Sequence, residues 1–201
     1  MIETVAVRNR VLAQLLEHDP ELRQYVQLME VGDGYAMRQQ MTYFPVTAVL
    51  ALVTPDLVDA VLVRPGECTW AEPYSALLQV RLPGYLYTVS SGLLHVAAFR
   101  HVLTSEAARL HCRAIENLSQ LATQSCSRSI ARYLLGFGLD DLPLTQQTVA
   151  NAVDLRRETV TDALARFERQ GWVQCSRGRV VIQARAALQN YAVGDLELAA
   201  A

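Results

Sequence analysis

Apolar residues recur at helical spacing near the amino terminus, in short runs through the middle, and at helical spacing again beyond residue 101. In VRNRVLAQLLEH (7–18), Val7, Val11, Leu12, Leu15 and Leu16 share one face and Asp19-Pro20 follows, which predicts a helix. A second short helix is expected in ELRQYVQLM (21–29). From about 30 to 98 the runs are YFPVTAVLALV (43–53), DAVLV (59–63), ALLQV (76–80), YLYTV (85–89) and LLHVAAF (93–99). Turn signals separate them: Gly-Asp-Gly (32–34), Thr-Pro-Asp (54–56), Arg-Pro-Gly-Glu (64–67) and Leu-Pro-Gly-Tyr (82–85). Short strands punctuated in this way predict an antiparallel β sandwich or barrel.

From 101 no Gly or Pro interrupts the chain until Gly136. Leu110, Ala114, Leu118, Leu121 and Ala122 fall on one helical face, and Thr104 or Ser105 suits its N-cap. This stripe is longer than a small domain needs, so it serves either as core packing or as a dimer seam; Asn117 and His111 beside it make an imperfect coiled coil. GFGLDDLP (136–143) reads as a linker.

The last segment alternates helix, turn, helix, strand, turn, strand. Thr145 caps LTQQTVANAV (144–153), with Leu144 and Val149 spaced as a hydrophobic staple. Asp154-Leu155 makes the turn. In the helix that follows, Val160, Ala163, Leu164 and Phe167 share one face. Glu158, Thr161, Asp162, Ala165 and Arg169 point the other way, Arg157 lies at the rim, and Gly171 sits at the C′ position. GWVQCSRGRVVIQA (171–184) reads as a hairpin, with Gly178 permitting its tight turn. Helix-turn-helix followed by a hairpin is a winged helix. Arg156 and Arg157 stand at the end where the helix dipole is already positive, an arrangement that makes sense if this end meets an anion.

Charge sharpens the picture. The chain of 201 residues carries a formal net charge of −2, which on its face argues against nucleic acid. Yet residues 145–190 hold seven arginines and four acids, leaving that segment at +3 and the remainder at −5. All 18 basic residues are arginine. Cys68, Cys112, Cys126 and Cys175 are too dispersed for a zinc site or a disulfide scaffold, and are expected as separate, half-buried thiols. No signal peptide and no run long enough to span a bilayer is apparent, so a cytoplasmic protein without membrane contact is expected. No nucleophile motif links the scattered Ser, His, Cys and acidic residues, so an enzyme is not expected.

LTQQTVANAVDLRRETVTDALARFERQGWVQCSRGRVVIQARAAL (144–188) resembles the DNA-binding domain of Crp/Fnr-type bacterial transcription regulators. Arg-Glu-Thr-Val (157–160), the helix ending at Gly171 and the Arg-Gly-Arg-Val-Val-Ile wing carry the likeness together. SRSIARYLL (127–135) looks like the helix after the hinge, 101–126 like the dimerisation helix, and 8–98 like a divergent, compact cyclic-nucleotide-binding-type barrel. The resemblance implies an α+β chain: an antiparallel β-barrel or jelly-roll sensor domain (1–100), a dimerisation helix (101–126) using Leu110, Ala114, Leu118 and Leu121, and a winged helix-turn-helix (127–201).

It also implies a homodimer on a palindromic double-stranded DNA site, with helix 156–170 in the major groove, and contact with RNA polymerase. The DNA-binding residues it implies are Thr145, Gln146, Arg156, Arg157, Glu158, Thr159, Thr161, Asp162, Arg169, Arg177 and Arg179. Arg157 and Glu158 match positions that read a G·C pair, Thr159 a phosphate position, and the wing arginines a neighbouring phosphate.

Two departures stand out. Arg156 replaces the usual capping Ser, and Asp162 occupies a position where many members carry a second base-reading Arg. In the sensor half, Gly66-Glu67 matches the turn that holds a ribose, but Leu77 stands ten residues on, where an arginine would take the cyclic phosphate. Cyclic AMP is therefore not expected as a ligand. Nor is an iron–sulfur cluster, for want of an N-terminal cysteine cluster, nor haem on His18, His95, His101 or His111; the effector stays open. The alternative is a small-molecule or redox sensor whose winged helix makes protein contacts only.

Overall fold

The computed structural model describes residues 7–53, 59–70, 77–94, 97–121 and 125–194. The chain divides into two compact units, Met1–Pro55 with Ala60–Ala114, and Asp56–Asp59 with Ile115–Ala201.

In the first unit, helix α1 (Arg10–His18) buries Val11, Leu12, Leu15 and Leu16, as its spacing requires. It starts at Arg10 because Asn9 caps it: the Asn9 Oδ1 accepts from the Leu12 N–H at 3.0 Å. The other end of that buried amide donates to the carbonyls of Pro45 and Glu67, each at 2.8 Å, pinning the helix to two loops. The second expected helix is a correction. Only Pro20–Tyr25 is helical, as a 3₁₀ turn, and Gln27–Val31 is strand β1. The remaining strands are β2 (Met41–Pro45), β3 (Val49–Val53), β4 (Asp59–Val63), β5 (Thr69–Trp70), β6 (Leu77–Leu82) and β7 (Gly84–Ser90). The run 43–53 is thus two strands, which belong to different sheets.

The sheets are antiparallel, in the orders β1-β7-β2-β5 and β4-β3-β6, jelly-roll-like and not a closed barrel. Their inward residues, including Tyr43, Leu50, Val61, Val63, Val80 and Leu86, form one core between them. Phe44 and Val89 meet α1 on the other side. The run 93–99 is not a strand. Ser91–Leu94 is helix α2, and helix α3 (Ala97–Leu121) has begun by Ala97, so Thr104 lies inside it and its hydroxyl donates to the Arg100 carbonyl at 2.6 Å.

A buried charge fixes α3 within this unit. The Glu67 carboxylate accepts from Arg109 at 3.0 Å and from Arg113 at 2.8 Å, both on α3, and from the Arg64 N–H at 3.0 Å. Arg109 also pairs with Glu106 at 2.6 Å. Burial alone would raise the Glu67 pKa. The Arg64 N–H and the two guanidinium groups outweigh it and hold the carboxyl below its ordinary value.

The second unit contains helix α4 (Cys126–Gly136), strand β8 (Asp141–Leu142), helices α5 (Gln146–Ala152) and α6 (Arg157–Arg169), strands β9 (Val173–Ser176) and β10 (Arg179–Ile182), and helix α7 (Arg185–Val193). The expected linker 136–143 is another correction. Phe137 and Leu142 are fully buried, and β8 completes a three-stranded sheet of order β8-β10-β9. Glycine and two acids made the segment look like a spacer, but its apolar residues close the core. Among the described residues no helix is long and apolar enough to cross a membrane.

A carboxylate whose pKa is depressed on folding adds stability above its unfolded pKa and loses it as pH falls through the folded value. Glu67→Gln should therefore cost about 2 kcal/mol at pH 7, because two half-buried arginines lose their charged partner. Its deficit should shrink toward pH 3. Urea unfolding of both chains across that range measures the difference.

Candidate nucleic-acid interface

Helix α5 is capped as its sequence demands: Thr145 Oγ1 accepts from the Thr148 N–H at 3.0 Å, and Leu144 and Val149 are buried. Asp154 makes the turn with φ of 51°, a left-handed conformation that Asp tolerates better than most residues. Helix α6 buries Val160, Ala163, Leu164 and Phe167. Phe167 packs with Trp172 at 5.8 Å and with Tyr191 of α7 at 5.5 Å between ring centroids. This aromatic cluster sets the rotation of α6 about its axis.

That rotation leaves Arg157, Glu158, Thr161, Asp162 and Arg169 exposed and Thr159 half-buried. Arg156 occupies the N-cap position and makes no side-chain cap, so the missing Ser is not replaced. The first-turn N–H groups are left for an outside acceptor. Glu158 is the only acid of that turn. Thr161 is more committed than its exposure suggests: its single hydroxyl proton is shared between Gln146 Oε1 and the Arg157 carbonyl, each 2.9 Å from the oxygen. Gln146 and Thr161 thus tie the two helices together.

At the far end Gly171, with φ of 70°, ends the helix, and Glu168 accepts from the Cys175 N–H at 2.9 Å, anchoring β9. The hairpin turns at Gly178, φ 75°. Burial, then the Glu168 charge, pushes the Cys175 thiol up to about 11, so it is protonated at neutral pH; buried Cys68 is pushed up to about 12. All four cysteines are free, and Cys112 and Cys126 are exposed where half-burial was expected.

The wing and the helix pair enclose a cleft of about 580 Å³ lined by Thr145, Gln146, Gln147, Arg157, Ser176, Arg177 and Arg179, among others. Gln147 and Ser176 were not expected there. Ser176 precedes the turn, and the closed hairpin brings it into the cleft lining. Arg177 is exposed and makes no ion pair among the described residues. Arg179 is held by Asp141, its Nε donating to Oδ1 at 2.5 Å and its Nη2 to Oδ2, which keeps the Asp141 carboxyl below the usual range. Arg185 is likewise held by Asp140 at 2.8 Å.

The family of Crp-like helix-turn-helix domains matches residues 128–191. The chain carries a Crp-like helix-turn-helix domain. The Crp-like domain thus includes α4 and α7, whose Arg128 lies 5.7 Å above the Tyr191 ring. Over most of its length the chain shares the fold of solved Crp/Fnr transcription regulators. A CRP-family regulator from Thermus thermophilus aligns with a TM-score of 0.65 at 20% identity, covering 86% of this chain and 100% of that one. FixK2 from Bradyrhizobium japonicum gives 0.66 at 17%, covering 88% and 99%. A CRP/FNR-family regulator, also from Thermus thermophilus, gives 0.62 at 20%, covering 84% and 94%. No curated protein matches the chain.

One of the expected dimerisation residues needs a correction. Leu110 is only 4% exposed and belongs to the core between the sheets, so it is not free for a partner; Ala114 packs against that core and is half-buried. Periodicity marked the stripe without showing what covers it. The side chains of Leu118 and Leu121, and all of Ala122, lie outside the described residues. On the opposite face of α3, Ala108, Cys112 and Ile115 are exposed, Ile115 by 54%. Of the four histidines, His18, His101 and His111 are exposed and His95 lies outside the described residues.

Phe167→Ala should destabilise the Crp-like domain by about 3 kcal/mol through the cavity it leaves. It should also shift Trp172 emission to the red, since that ring loses its packing partner. Thermal unfolding and fluorescence of the two chains test both effects.

Proposed function

We propose that the protein is a sequence-specific DNA-binding transcription regulator of the Crp/Fnr type, acting as a homodimer that places helix 156–170 in the major groove of a palindromic site. The observation that carries this reading is the solvent face of α6. Its uncapped, dipole-positive end holds Arg157 and Glu158, and it opens onto a cleft shared with the wing cation Arg177. Arg157 suits guanine, and Glu158 suits the cytosine amino group of the same pair. Arg177 suits a phosphate across the cleft. Thr161, its hydroxyl proton engaged by Gln146 and the Arg157 carbonyl, positions the helix pair and offers DNA its methyl and an oxygen lone pair. A winged helix used for protein contacts alone is not favoured, because the domain is Crp-like over its full set of helices and strands.

Two half-sites about 34 Å apart require two copies of the recognition helix. The exposed Ala108, Cys112 and Ile115 support a seam on that face of α3. The Glu67 carboxylate is taken up by Arg109 and Arg113 of the chain itself, which supports a sensor that does not use the Gly66-Glu67 turn for cyclic AMP. Contact with RNA polymerase belongs to this reading only where the regulator activates; repression by occupying the site needs none.

Arg177→Ala and Glu158→Ala should fail differently. Loss of Arg177 should weaken binding to every duplex alike and lower the slope of log affinity against log salt by about one unit. Loss of Glu158 should leave nonspecific binding intact and erase about 1–3 kcal/mol of discrimination at one symmetric pair of positions. Sites selected from a random DNA pool, then changed base by base at two salt concentrations, test this. A parallel loss across all sequences for Glu158→Ala would mean that the acid only steadies the helix start. Ile115→Glu should yield monomers by sedimentation and lose binding to the selected site; a dimer that survives it would move the seam elsewhere.

A further inference from the structure

We propose that Asp141 is an internal competitor for the wing cation Arg179, occupying with a carboxylate the guanidinium fork that would otherwise take a DNA phosphate. The inference rests on the DNA-binding reading above and adds a regulator of affinity to it. Asp141 sits on β8, beside β10, where it is paired in register with Val181. Arg179 opens β10 directly after the wing turn. The contact is two-pronged, Nε to Oδ1 at 2.5 Å and Nη2 to Oδ2, the same planar geometry by which arginine grips a phosphate. The side chains are 56% and 51% exposed, so the pair lies at the surface, and Arg179 lines the cleft that also holds Arg157 and Arg177.

The neighbouring wing cation, Arg177, has no such partner among the described residues. Over the Crp-like domain, residues 128–191, nine arginines stand against six acids, so the net charge is only +3 and one arginine taken up by an internal acid matters. An exposed ion pair is held weakly, so the acid does not lock the domain; it withholds one phosphate contact and sets affinity below what the arginines alone would give.

The test is equilibrium binding of the intact chain to a duplex of arbitrary sequence and to the pool-selected site, from about 50 to about 200 mM salt. Four proteins are compared: wild type, Asp141→Asn, Arg179→Ala and the double variant. Asp141→Asn should tighten binding to both duplexes about fivefold and steepen the salt slope by about 0.9, the signature of one added phosphate contact. The double variant should bind like Arg179→Ala, because the acid acts through that one cation.

Wild-type binding with no gain in Asp141→Asn would overturn the proposal and leave the DNA-binding reading standing. So would a gain that persists without Arg179, since the acid would then act only through its general field. Failure of all four chains to bind any duplex would sink the reading, and the proposal with it. Asp141→Ser, with circular-dichroism melts of every chain, separates a lost wing fold from a changed contact: a folded Asp141→Ser chain must repeat the gain.

Discussion

The phase of helix α6 about its own axis is the constraint on which the interface depends. Successive helical residues are about 100° apart, so burying Val160, Ala163, Leu164 and Phe167 leaves no freedom in which side chains face outward. The rings of Trp172, in the turn after the helix, and Tyr191 on α7 hold that phase by packing on Phe167. Thr161 and Gln146 hold it from the other side of the turn. Arg157 and Glu158 are presented at the uncapped end because of this packing, and the dipole of the helix adds to the field there.

Ion pairs play two opposite parts in the molecule. In the first unit, Glu67 is buried between Arg109 and Arg113, where an unpartnered charge would be costly, so the pair specifies one placement of α3 against the turn at 64–67. In the Crp-like domain, Asp141 and Arg179 meet in the open, where solvent screens them and the energy of the contact is small. The first arrangement fixes architecture. The second leaves architecture alone and changes only how much positive charge the wing can offer.

The cysteines follow the same logic of surroundings over residue type. Cys68 and Cys175 are kept protonated by burial and by nearby acids. Neither thiol is available as a thiolate at neutral pH, although Cys175 is one of the residues that line the cleft.

Much of the winged helix was legible in the residues themselves. Thr145 as cap, Asp154 at the turn, the four-residue apolar face of α6, Gly171 as terminator and Gly178 in the hairpin each express a local preference that neighbours in sequence are enough to satisfy. The helical face of 7–18 and most strands of the first unit were legible for the same reason. Contacts between distant residues were not. The fate of 27–31 and 93–99 turned on whether a strand partner or a helix lay opposite, and short apolar runs suit either. Leu110 looked like part of a seam because periodicity records a buried face without recording what buries it. Asp140 and Asp141 looked like spacer residues, and only the pairing of β8 with β10 brought Asp141 to Arg179, 38 positions away. Local preference is written in order along the chain; the partner of a charge or of an apolar face is settled by where the folded backbone returns.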